Sequence, residues 1–248
     1  MSTAAPEVGQ RRTRTRNALL DAGQVLFSER PVDAVPVDEI VLAAGVAKGT
    51  FFNHFEDKQH FARAIAAEIR REFEGQVDRI NEDETDPLRR LTGGMLMAVH
   101  FALTRRKQAL VMLRGLPLAT ARDHPLNSGL RHDIEAACVA GLVRDEGRDA
   151  ALLFWLGACQ MLMANVSERE FDSDQAAERM RQMMVLALTG LGVQHDTAAK
   201  LAAARAAQLR ALTLQTAAIT PNRSCSSASS TSTRAKSPGF RLAGTLRK

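Results

Sequence analysis

The chain has 248 residues, 45% of them hydrophobic, which is enough apolar material for a sizeable core and excludes wholesale disorder. Three scattered cysteines (Cys138, Cys159, Cys225) suit neither a disulfide framework nor a metal site, so a reducing compartment, the cytoplasm, is expected. The net charge of +5 is unevenly spread: residues 193–248 carry nine Lys/Arg and one acid, leaving residues 1–192 at −3, so overall basicity says little about nucleic acid.

In chain order, a polar segment, residues 1–10, is expected to be disordered. A cluster of Arg11, Arg12, Arg14 and Arg16 then stands at the start of helix 1 (Thr15 to Glu29), which places Leu19, Ala22, Leu26 and Phe27 on one face. Pro31 stops it and Pro36 opens helix 2, Val37 to Ala44. Gly45 supplies a left-handed turn and helix 3 covers about Lys48 to His54. Asp57 is a good N-cap for a long helix 4, in which Phe61, Ile65, Ile69 and Phe73 recur every four residues.

An acidic break from Asn81 to Pro87 introduces a second group of helices. Helix 5 carries Leu88, Leu91, Met95, Val99 and Ala102, and helix 6 runs from about Lys107 to Leu116 before a Pro117 to Pro125 loop. Helices 7, 8 and 9 are expected over Ser128 to Val143, Asp149 to Val166 and Asp174 to Leu191. The apolar run Ala150 to Ala164 is shorter than the roughly 20 residues of a membrane span, which favours a buried interface helix. Beyond Gly192 an alanine-rich stretch, Thr197 to Ile219, is compatible with a helix but has few large apolar residues to anchor it, and it leads into a Ser/Thr-rich basic tail expected to be disordered. The fold class is therefore all-α, with no internal repeat.

Helices 2 and 3 form the chemistry-bearing unit. Ile40, Val41, Ala44, Phe51 and Phe55 face inward, which leaves Lys48, Thr50, Phe52, Asn53 and His54 outward on helix 3. Lys48 suits a phosphate, Thr50 and Asn53 can bond phosphates or base edges, the Phe52 ring can pack on sugar or a thymine methyl, and Gly49 allows close backbone approach.

From Thr15 to Phe61 the sequence resembles the DNA-binding domain of the TetR family of transcriptional repressors. The matching residues are Leu20-Asp21-Ala22, Leu26-Phe27, Val37 to Ile40, Ala44-Gly45-Val46, and Lys48-Gly49-Thr50-Phe51-Phe52-Asn53-His54-Phe55 with Lys58. The resemblance implies a helix-turn-helix domain over residues 11–72 (helix-turn-helix 37–55) and a ligand-binding and dimerisation domain over residues 73–192. It implies that Lys48, Thr50, Phe52 and His54 enter the major groove, that Lys58 meets a phosphate, and that Arg14 and Arg16 reach the backbone or minor groove. Departures from the family pattern are Phe52 for a tyrosine, Ala47 for a serine cap, Gly23 for alanine, Val41 for a small residue and Pro31 for glycine.

The implied function is a ligand-responsive repressor that binds a palindromic operator as a dimer and is released by a small apolar effector. Candidate effector contacts are Met95, His100, Met112, His132 and Trp155. Helices 8 and 9 are the expected homodimer interface. No carboxylate pair, nucleophile-base set or metal-spaced cluster suggests an enzyme, and no cofactor, metal or membrane is expected. The alternative is a helical protein-binding adaptor without sequence-specific DNA binding.

Overall fold

The computed structural model describes residues 5–114, 127–145 and 148–219. Among them are ten α-helices and no strand. The first four are α1 (Ala5–Glu29), α2 (Val37–Ala44), α3 (Lys48–Phe52) and α4 (Lys58–Ile80), with a short 3-10 turn at Val32–Ala34. There follow α5 (Pro87–Thr104), α6 (Arg106–Arg114), α7 (Ser128–Val139), α8 (Arg148–Arg169), α9 (Ser173–Gly190) and α10 (His195–Ile219).

The expected stops and starts have visible causes. Gly45 ends α2 at φ +67°, a conformation that costs glycine little. The Asp57 carboxylate accepts from the His60 N–H at the start of α4, and Asp86 caps α5 ahead of Pro87. Asp172 and Gln175 form a reciprocal capping box on α9. Ala47 stands at the N-cap of α3 without any side-chain bond, as a methyl must.

Two expectations at the chain ends are corrected. Helix α1 begins at Ala5, so residues 5–10 are helical; Pro6 sits in the first turn, where proline is tolerated. The alanine-rich segment lies inside the fold: Ala198, Ala202, Ala206 and Leu209 are buried, four residues apart for most of the stripe, where α10 packs on α9 and α5. The Arg205 guanidinium fixes this packing by donating to the Arg89 carbonyl (2.5 Å) and Thr92 Oγ1 (3.2 Å). The expected Pro117 to Pro125 loop and the Ser/Thr-rich tail after residue 219 lie outside the described residues.

Helix α5 is the axis of the C-terminal bundle, with α4, α7, α8, α9 and α10 packed around it. By length and composition α8 could cross a membrane, yet Leu152, Trp155, Leu156, Leu162, Met163 and Val166 are buried among its neighbours. Helix α4 joins the two halves, its first turns beneath α3 and its later turns against α5. Gly23 lets α1 and α4 meet: a β-carbon there would stand 2.4 Å from Phe61 Cζ and 2.6 Å from Ile65 Cδ1.

Candidate nucleic-acid interface and internal cavity

The N-terminal unit rests on an aromatic cluster. Phe61 meets Phe27, Phe51 and Phe55 with centroids 5.8, 5.2 and 4.8 Å apart, all steeply inclined. Because Phe51 and Phe55 are spent on this core, the opposite side of the short α3 is presented outward. Lys48, Gly49 and Asn53 are exposed and Thr50 is half-buried. Phe52 is 52% exposed, its ring edge-on to Phe51, with no polar atom to offer.

The basic groups of this face are held with different firmness. Lys48 pairs with Asp38 on α2 at 2.8 Å, and both side chains are mostly exposed, so a phosphate can displace that carboxylate cheaply. Lys58, where the resemblance implies a phosphate contact, also makes bonds within the chain. Its ammonium donates to the Asp33 and Val35 carbonyls, 3.1 Å each, and so clamps the link between α1 and α2. Arg16 lies over the Phe55 ring at 5.6 Å and 4.0 Å from Glu68, while Arg14 is exposed. Partial burial first, then the charges of Arg12 and Arg16, hold the His54 imidazole below its usual pKa. Arg12 is a residue that sequence reasoning left out of this site. The signal was the i, i+4 spacing of Arg12 and Arg16, which only a helix extended toward the N-terminus turns into a shared face.

A cavity of about 90 Å³ lies within the C-terminal bundle. Helix α4 contributes Arg70, Phe73, Glu74 and Val77; α5 contributes Leu91, Gly94 and Ala98; α8 contributes Trp155, Cys159, Gln160 and Met163. Of the five candidate effector contacts, Met112 and Trp155 line it. Met95 is wholly buried elsewhere in the core, and His132 is exposed on α7. His100 faces α10, its Nε2 lying 3.3 Å from Thr216 Oγ1. Chemistry had made both histidines attractive, but their positions on α5 and α7 turn them away.

The polar groups that do line the cavity were missed. Arg70 pairs with Glu74 at 2.5 Å and Arg90 with Asp133 at 2.5 Å. Burial pushes the Glu74 and Asp133 carboxyls above their usual range despite these arginines, and pushes the Cys159 thiol up to about 12.

Two helices connect this cavity to the N-terminal unit. Helix α4 lines it with residues 70–78 and sits under α3 with Phe61. On α6, Met112 and Leu113 line the cavity, and the next residue, Arg114, donates to the Phe27 and Ser28 carbonyls at 2.6 and 3.2 Å. Those carbonyls belong to the C-terminal turn of α1, where a cation is favoured.

A family profile described as bacterial regulatory proteins, tetR family, matches residues 19–65, the span of the aromatic cluster and α3. The HTH-type transcriptional repressor KstR2 of Mycolicibacterium smegmatis is 27% identical over 108 residues, which is 44% of this chain and 52% of that protein. The chain thus spans about half the length of that relative. The repressor BepR of Brucella suis is 28% identical over 179 residues, 71% of this chain and 77% of that one. Among solved structures, RolR in complex with the ligand resorcinol superposes with a TM-score of 0.58 at 23% identity, covering 78% of this chain and 95% of that chain. At that identity the likeness shows a common fold.

Proposed function

We propose, for a chain that belongs to the TetR family of bacterial regulators, the role of a cytoplasmic ligand-responsive repressor that binds a palindromic operator as a dimer. Helix α3 would enter the major groove with Lys48, Gly49, Thr50, Phe52, Asn53 and His54. Arg12, Arg14 and Arg16 would lie along the backbone or minor groove. Lys58 would serve by holding the link before α2 in place, with phosphate contact secondary. The observation that carries the reading is the double reach of α4, which is both the floor of α3 and a wall of the cavity. A molecule in that wall has a rigid path to the recognition helix, so its affinity and that for DNA would be reciprocally coupled.

Dimerisation through α8 and α9 is supported by a band of exposed apolar side chains: Leu153, Phe154 and Met161 on α8, and Leu186 on α9. Phe154 also reaches across to Gly190, where an added β-carbon would stand 3.2 Å from its Cζ, so the two helices present one continuous face. Pairing that face about a two-fold axis sets two α3 helices on one side of a duplex, about one helical turn apart.

The test is to select bound sequences from a random DNA pool and measure binding to the winning site. A palindromic site is expected, and Lys48→Ala combined with His54→Ala should abolish recognition while the fold persists. Full-strength binding by the double variant removes α3 from the role. A protein-binding adaptor would show no preferred sequence at all.

A further inference from the structure

We propose that the cavity takes a small, uncharged, largely apolar molecule, about one ring in size, that offers a hydrogen-bond acceptor to Gln160. The inference rests on reading the cavity as the effector site and deepens it by naming the ligand class.

Charge is the first argument. Among the described residues, Arg70 and Arg90 are the cations of the wall, and each already faces a carboxylate, Glu74 and Asp133 respectively. Arg70 also donates to Asn127 Oδ1 at 3.3 Å, and Arg90 to the carbonyls of Asn81 and Glu84 at 2.9 and 3.2 Å. With Asp78 the described residues of the wall carry three carboxylates against two guanidinium groups. An anionic ligand would leave water and meet, among the described residues, no cation free to receive it. Burial that raises the Glu74 and Asp133 carboxyls argues equally against a site built to hold extra charge.

Hydrogen bonding is the second. Gln160 lies one turn beyond Leu156 on α8, and both line the cavity. Its Nε2 is buried and finds no protein acceptor among the described residues. A buried donor left in that state is costly, and an oxygen on a ligand relieves the cost in place. The neighbouring Cys159 thiol, with its pKa pushed up to about 12, stays neutral and offers only soft apolar surface.

Size is the third. The volume of about 90 Å³ is below the roughly 150 Å³ of a cavity known to admit benzene. Met112 and Met163 in the wall are unbranched and can yield the remainder by changing rotamer. A long chain or a fused polycycle would require helices to separate.

Trp155 is the only tryptophan, the chain has no tyrosine, and this side chain lines the cavity, so its emission reports directly on occupancy. The full chain is titrated with benzyl alcohol, ethylbenzene, benzoate and benzylammonium at neutral pH while Trp155 emission is followed. Benzyl alcohol should saturate, with the two charged probes bound at least about tenfold more weakly. Gln160→Leu should weaken benzyl alcohol about tenfold and leave ethylbenzene unchanged or tighter. Gln160→Met, closer in shape, should do the same, which guards against a misfolded variant. Preferred binding of benzoate or benzylammonium overturns the proposal. So does equal loss, or no loss, of both neutral probes in the two variants, or the absence of saturation by any probe. Operator affinity measured alongside separates the two levels. The expected binding pattern with unchanged DNA affinity refutes ligand-responsive repression and leaves the ligand class standing, whereas release by benzoate alone does the reverse.

Discussion

Gly23 and Ala47 depart from the family pattern in the same domain, and their surroundings give them opposite meanings. An alanine at position 23 gains about 1 kcal/mol of helix propensity. It also drives a methyl into Phe61 and Ile65, and the Phe61 ring, clasped by Phe27, Phe51 and Phe55, has nowhere to swing. Overpacking of this kind costs about 1–3 kcal/mol, so Gly23→Ala should be net destabilising, read as a lower urea midpoint. A raised midpoint would mean that α4 retreats freely. At Ala47 nothing opposes a better cap: the backbone is already extended (φ −74°, ψ 150°) and the side chain is exposed. Ala47→Ser should stabilise by about 1 kcal/mol in the same assay, without change in operator sequence preference.

Helices α6 and α10 are the elements whose roles most needed the structure. Arg114 is the tie between α6 and the end of α1, and its donations to the Phe27 and Ser28 carbonyls are charge-assisted. Arg114→Ala should cost about 1.5–3 kcal/mol, measured by urea unfolding, and an unchanged midpoint would show the tie to be idle. Where α10 meets α5 the pH dependence is readable at His100. Burial lowers its pKa, its Nε2 faces Thr216, and its Nδ1 is buried without a partner among the described residues. A lowered folded-state pKa means that the native state resists protonation. This contribution is therefore complete above the unfolded value near 6.5 and is lost as pH falls through the lower folded value. Thermal stability should drop on acidification below about 6.5, and His100→Gln should flatten that slope. An identical slope in the variant would assign the effect to other groups, His54 first among them.

For the whole molecule, the band of Leu153, Phe154, Met161 and Leu186 makes association the property to challenge. Met161→Glu with Leu186→Arg should give a folded monomer by sedimentation, with much weaker operator binding; a persistent dimer would move the interface elsewhere. What the sequence made legible follows from how local each signal is. Helix 2, the Gly45 turn and the Asp57 cap depend on residues a few positions apart, and they stand where expected. The α10 seam was illegible because alanines four apart carry little hydrophobic contrast, although Arg205 and close helix packing make them core. His100 and His132 were chosen for their chemistry, while Glu74, Asp133 and Gln160 became visible only once five helices enclosed them. Lys58 matches the family position, and its two bonds to carbonyls 23 and 25 residues earlier were the part that no local signal announced.

The close contact at Gly23 also has a mechanical side. Helix α4 is a rod pinned near Phe61 and Ile65 by a joint with no spare room. At 1.5 Å per residue, its cavity-facing turns around residue 74 lie roughly 16 Å beyond that pin and its Lys58 end roughly 8 Å before it. A push on the long arm is thus delivered to the short arm at about half the amplitude and in the opposite sense. That trades distance for force beneath α3, the helix proposed to meet DNA, and Gly23 is the fulcrum.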